Sequence, residues 1–176
     1  MMRLGWLVTC GLVSCLAVVP LWAKGPTTRI VIAGPALPAP LRITDAALLR
    51  QFSVWSGLGT GANGVESSEG FIIDWHSGTS AEPALHLPRY EVSFYAKYAN
   101  RPLASQDEHL AYVVRYAPDV AAGRGYVYLP GRGDDAFALN ARTIFRGVEG
   151  RWFKATDAWY QAAATLRARL DRSTNR

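Results

Sequence analysis

The sequence predicts an α+β fold, a curved antiparallel sheet with a C-terminal helix packed on it, and three observations carry that expectation. Period-two alternation runs through Tyr90 to Tyr98 and again through Leu110 to Tyr116. Turn signals separate these runs from their neighbours, as in a meander that pairs strands adjacent in sequence. At the C-terminus the period lengthens, and Trp159, Ala163, Leu166 and Leu170 recur at helical spacing. A β-sandwich without helical cover is the alternative architecture.

The first segment reads as an export signal. Arg3 is the only charge before the apolar run Leu4 to Ala23, Pro20 interrupts that run near its end, and Ala23 stands just before Lys24. That order is an n-region, an h-region and a cleavage region, so residues 1–23 are expected to leave and 24–176 to form a single strand-rich domain. Two other readings stay open. Leu12-Val13-Ser14-Cys15 has the form of a bacterial lipobox, which would anchor the chain through a lipidated Cys15. The stretch Leu4 to Ala23 also reaches the ~20 apolar residues that span a bilayer, so it could stay as an anchor. Membrane contact is expected only through this segment, if it is uncleaved or lipidated, and the domain beyond it is expected in the periplasm or secreted.

Beyond the leader, Thr28 to Ala33 reads as a strand and Gly34-Pro35 with Pro38-Ala39-Pro40 as a break. Leu41 to Ile43 is then a short strand. Thr44 and Asp45 can cap a helix over about Ala46 to Phe52, with Leu48, Leu49 and Phe52 on one face. Gly57 to Gly70 is a loop by composition. Phe71, Ile73 and Trp75 alternate with Ile72 and Asp74 as a further strand. Ala117-Pro118-Asp119 through Gly123-Arg124-Gly125 turns the chain into a strand at Tyr126 to Leu129. Thr156 is the expected N-cap of the last helix, which runs to about Asp171 with Asp157 in its first turn.

Composition narrows the chemistry. Of 176 residues, 49% are hydrophobic and 19% charged, a globular balance. A domain of ~150 residues buries close to 70% of its unfolded surface, enough for a core without staples. Both cysteines, Cys10 and Cys15, fall in the leader, so the cleaved form is expected to be cysteine-free, with no disulfide, thiolate nucleophile or Cys-ligated zinc. No cofactor or metal is expected. The formal charge of +5 is mildly basic, and Arg3 leaves with the leader. Nucleic acid would call for a denser basic stripe and a recognisable motif, so an anionic envelope polymer or a partner protein is the expected contact.

Several motifs have a plain structural reading. Gly59-Thr60-Gly61-Ala62-Asn63-Gly64 matches G-x-G-x-x-G but neither follows a strand nor opens a helix, so it reads as a loop. Arg132-Gly133-Asp134 reads as a tight turn rather than an adhesion tripeptide. No nucleophile elbow and no H-E-x-x-H occurs, and the carboxylates Glu91, Glu108 and Glu149 have no legible separation. Catalysis is therefore the lesser reading. Its candidates are Asp74 and His76, two apart on an expected strand and so on one face, as a general base with its orienting acid in a small exported hydrolase. His86 and His109 stand in polar loop settings.

The leading candidate for binding is Asn140 to Lys154. Arg142, Arg146, Arg151 and Lys154 alternate there with Phe145, Trp152 and Phe153, and guanidinium groups beside rigid aromatics suit recognition of anions. The expected function is non-catalytic binding of a partner protein or an anionic envelope component. Pro88 to Tyr95, Gly125 to Gly131 and Ile144 to Gly150 together resemble stretches of uncharacterised exported bacterial proteins, which implies an exported bacterial origin and no particular activity.

Overall fold

The structure, a computed structural model, describes residues 25–35, 37–60, 71–97 and 107–174, with side chains through residue 168. The expected leader, the tract 61–70 of the glycine loop, Tyr98 and the side chain of Leu170 lie outside the described residues. No helix among the described residues is long and apolar enough to cross a membrane.

Among the described residues, seven strands form one open antiparallel sheet. They are β1 (Thr27–Ala33), β2 (Leu41–Ile43), β3 (Thr79–Ser80), β4 (Tyr90–Ala96), β5 (His109–Asp119), β6 (Arg124–Tyr128) and β7 (Trp152–Lys154), in the spatial order β2-β1-β4-β5-β6-β7-β3. The run β4 to β6 is the expected meander, and β7, at which the sequence reading placed no strand, continues it. Three helices among the described residues complete the α+β fold: α1 (Ala46–Gln51), α2 (Phe137–Thr143) and α3 (Asp157–Thr174).

Alternation decides the two faces. Tyr90, Val92 and Phe94 of β4 stand opposite Tyr116, Val114 and Tyr112 of β5, and all six side chains are buried on the core face. Ile30 and Ile32 of β1 continue that layer beside β4. Asp45 caps α1 by accepting the Ala47 and Leu48 amides at 2.9 Å each, which aims Leu49 and Phe52 into the layer. Thr156 caps α3 through the Trp159 amide at 3.2 Å. Trp159 is then inserted edge-on between Phe52 at 5.1 Å and Tyr116 at 5.8 Å, and it locks α3 to the sheet.

Two local expectations are corrected. Phe71 to Trp75 is not a ladder strand, because only Ile73 bridges, to Ala155. Phe71, Ile72 and Ile73 are all buried, so the chain is covered on both sides there. It turns away at Asp74, whose carboxylate takes the amides of His76 at 3.1 Å and Ser77 at 3.3 Å. Nor does the chain turn at Ala117-Pro118-Asp119: β5 runs on to Asp119, with Pro118 opposite Gly125. Peptide groups alternate in direction along a strand, so the N–H that Pro118 lacks would have pointed toward β4, which begins at Tyr90 opposite Tyr116 and leaves that edge free. The turn itself falls at 120–123 and closes on Gly123 with φ +62°.

The sequence reading placed no helix at α2, and a buried amide explains its position. β6 covers β5 only from Arg115 onward. Just beyond that end, fully buried Asn140 accepts the Val113 amide at 2.9 Å and donates to the Val113 carbonyl at 2.6 Å. The side chain does for one residue what a neighbouring strand would have done.

Candidate functional site

The sheet's second face is polar and aromatic. Register sets Arg115 opposite Glu91 and Tyr128, Tyr128 opposite Trp152, and Tyr126 opposite Lys154. Guanidinium groups lie over the rings: Arg29 over Tyr95 at 4.1 Å, Arg89 over Trp152 at 4.7 Å, Arg124 over Tyr126 at 5.4 Å and Arg115 over Tyr128 at 5.5 Å. Three of these arginines also meet a carboxylate, Arg29 with Glu108, Arg89 with Glu82 at 3.2 Å and Arg115 with Asp134 at 2.8 Å. Arg124 is stacked but meets no carboxylate among the described residues, and the same holds for exposed Lys154.

These two cations share a groove of about 400 Å³, walled by residues 80–87 on one side and by Asp119, Arg124, Tyr126 and Lys154 on the other. The pairing of Ser80 with Trp152 holds the loop over the face. Within the groove Glu82 is neutralised by Arg89, and Asp119 accepts the Ala122 amide at 3.0 Å. Arg124 and Lys154 therefore face Asp119 alone, and the groove keeps an excess of positive charge.

The predicted binding residues do not come together as one patch. Lys154 lines the groove, and Trp152 lies on the same face, buried beneath Arg89 and against Tyr128. Arg142 is exposed on α2, and Arg151 is exposed just before β7. Arg146 must be removed from any anion-facing surface, because it is 5% exposed and engaged from within. Its guanidinium donates to the carbonyls of Val54 at 2.8 Å, Ser56 at 3.0 Å and Leu58 at 2.7 Å. The rings of Phe71, Tyr112 and Trp75 surround it at 4.6, 5.2 and 5.3 Å. Neighbouring Phe145, by contrast, is 59% exposed, so the usual hydropathy order is inverted across this pair. Gly59 explains how the strap approaches so closely: at φ +74°, a Cβ there would meet the Phe145 carbonyl oxygen at 2.5 Å.

Asp74 and His76 sit on the turn described above rather than on a strand. The imidazole is 73% exposed, with Nδ1 4.0 Å from Oδ1 of Asp74. The Ser77 hydroxyl bonds the other carboxylate oxygen, and that bond, first, with the backbone amides holds the Asp74 carboxyl below its ordinary value against the effect of burial. A carboxylate so occupied orients its own turn. Asp134 of the Arg-Gly-Asp run likewise serves its turn, accepting from the Gly131 amide at 2.8 Å and the Tyr128 hydroxyl at 2.9 Å. No group of three His, Cys, Asp or Glu side chains that could hold a metal occurs among the described residues.

Sequence reasoning passed over Arg124 and Tyr126, which earn their place only through the register of β6 with β7. Their signal was the exposed Arg-Gly-Tyr-Val-Tyr alternation, legible as a strand but silent about its partner. Compared with protein-family models, with curated proteins and with solved structures, the chain matches none.

Proposed function

We propose that the protein is an exported, non-catalytic binding protein, and that its ligand is an anionic polymer of the cell envelope held in the groove between residues 80–87 and the β6–β7 face. One observation carries the reading: Arg124 and Lys154 stand together there without a carboxylate partner among the described residues, while Arg29, Arg89 and Arg115 are paired. A guanidinium laid on a ring keeps its edge N–H groups for a carboxylate or phosphate, and the ammonium adds a point charge beside it. The groove adjoins an open sheet face and is not an enclosed cavity, a shape that accepts a chain passing through. Export rests on residues 1–23.

Titration with a polyuronate beside neutral dextran tests the ligand class. Binding of the polyuronate alone, weakening as salt rises, is the expected result. Equal binding to dextran, or no binding to either polymer alongside salt-independent capture of a protein, would overturn the anionic reading. Mass spectrometry of the secreted form tests export, with a chain beginning after Ala23 expected and an intact Met1 or a lipidated Cys15 contradicting cleavage there.

A further inference from the structure

A second cavity opens on the opposite side of the molecule, between α3 and the core face of the sheet. Past Trp159 the helix presents Ala163, Ala164 and Ala168 toward the strands, and side chains this small leave room that a leucine or phenylalanine would have filled. The space measures about 340 Å³, within the ~300–1,000 Å³ of small-molecule sites. Ile32, Leu41 and Pro118 line its floor, and Val120, 69% exposed, stands at its edge.

Two features separate this cavity from a packing defect. The Tyr116 side chain forms part of the wall at 2% exposure, and its hydroxyl has no hydrogen-bond partner among the described residues. An unpartnered buried phenol is costly, and native proteins rarely leave one without a reason. The other feature is charge: among the described residues Arg167 is the one ionic side chain in the lining and meets no carboxylate, and its Nη1 donates to the Tyr90 hydroxyl at a long 3.4 Å.

From this we infer that the α3 cleft binds an aliphatic chain ending in a carboxylate, a fatty acid in chemical class. The chain lies along the alanine face of α3 over Ile32 and Leu41. The head group meets the Arg167 guanidinium beside the Tyr90 hydroxyl. A cationic head would face Arg167 uncompensated, and a neutral one would leave its charge unused. This site is independent of the groove that holds Arg124 and Lys154.

Isothermal titration of the purified protein with dodecanoate, dodecanol and dodecyltrimethylammonium, each below its micellar concentration, tests the assignment. Dodecanoate is expected to bind one per chain, more tightly than dodecanol, with the cation weakest. Exposed Ala164, replaced in Ala164→Trp, fills the cleft from the helix and should abolish binding with the melting temperature retained. Arg167→Gln should weaken dodecanoate by about tenfold and erase its advantage over dodecanol. No uptake of dodecanoate, uptake undiminished in a folded Ala164→Trp, or a carboxylate preference that survives Arg167→Gln would each overturn the assignment.

Discussion

The Nε of Arg146 donates to the Tyr112 hydroxyl at 3.2 Å, and both side chains are buried. Burial pushes the Tyr112 phenol above its ordinary value, and the guanidinium beside it works in the opposite direction. A cation in the middle of the core is thus balanced by a phenol, three carbonyl oxygens and the faces of aromatic rings, and it ties residues 54–58 to β5.

Replacing Arg146 should therefore damage the fold. Arg146→Met leaves three carbonyls and a phenol without their donor, and the loss is expected to be at least about 3 kcal/mol in urea denaturation. Arg142→Gln and Arg151→Gln, both at exposed positions, should stay within about 0.5 kcal/mol of wild type. An unchanged midpoint for Arg146→Met would contradict the described packing.

Asn140 makes a similar case at the edge of β5. Asn140→Leu keeps the volume but strands both the amide and the carbonyl of Val113, with an expected cost of about 2–4 kcal/mol and an unchanged denaturant slope. A variant as stable as wild type would mean that another group or a water pairs with Val113.

Asp134 gives the fold a pH-dependent component. Burial alone would raise its carboxyl, but the Gly131 amide, the Tyr128 hydroxyl and Arg115 together hold it below the ordinary aspartate range. A folded-state value lower than the unfolded one means that the stabilisation is present above the unfolded value and is lost as pH falls through the folded one. Asp134→Asn should thus be less stable than wild type at neutral pH, and the gap should narrow as pH falls below about 4. Thermal melts of both proteins across that range measure it, and a gap independent of pH would count against the ionic role.

What the sequence made legible follows from how local each signal is. The alternations of β4 and β5, the Asp45 and Thr156 caps and the spacing of Trp159 and Ala163 all act within a few residues, and each marks an element found in the fold. In the sequence Arg146 reads as solvent-facing because a guanidinium usually is. The carbonyls that bury it lie some ninety residues upstream, at Val54, Ser56 and Leu58, where a carbonyl carries no sequence signature. Asn140 was opaque for the same reason, since its partner is a backbone group in β5. Of the five expected binding residues, Lys154 alone lines the groove, and the residue that joins it there, Arg124, is brought by strand register across a 23-residue connection that sequence pattern does not reveal.

The measurement closest to the central claim compares two double variants in polyuronate binding at low and at physiological salt. Arg124→Gln with Lys154→Gln removes the cations of the groove, and Arg142→Gln with Arg151→Gln removes as much charge from exposed positions outside it. The first variant is expected to stay folded, to bind about tenfold or more weakly and to lose much of its salt dependence, while the second binds like wild type. Equal losses in both variants would reduce the effect to net charge, and undiminished binding by the first would contradict the groove as the site.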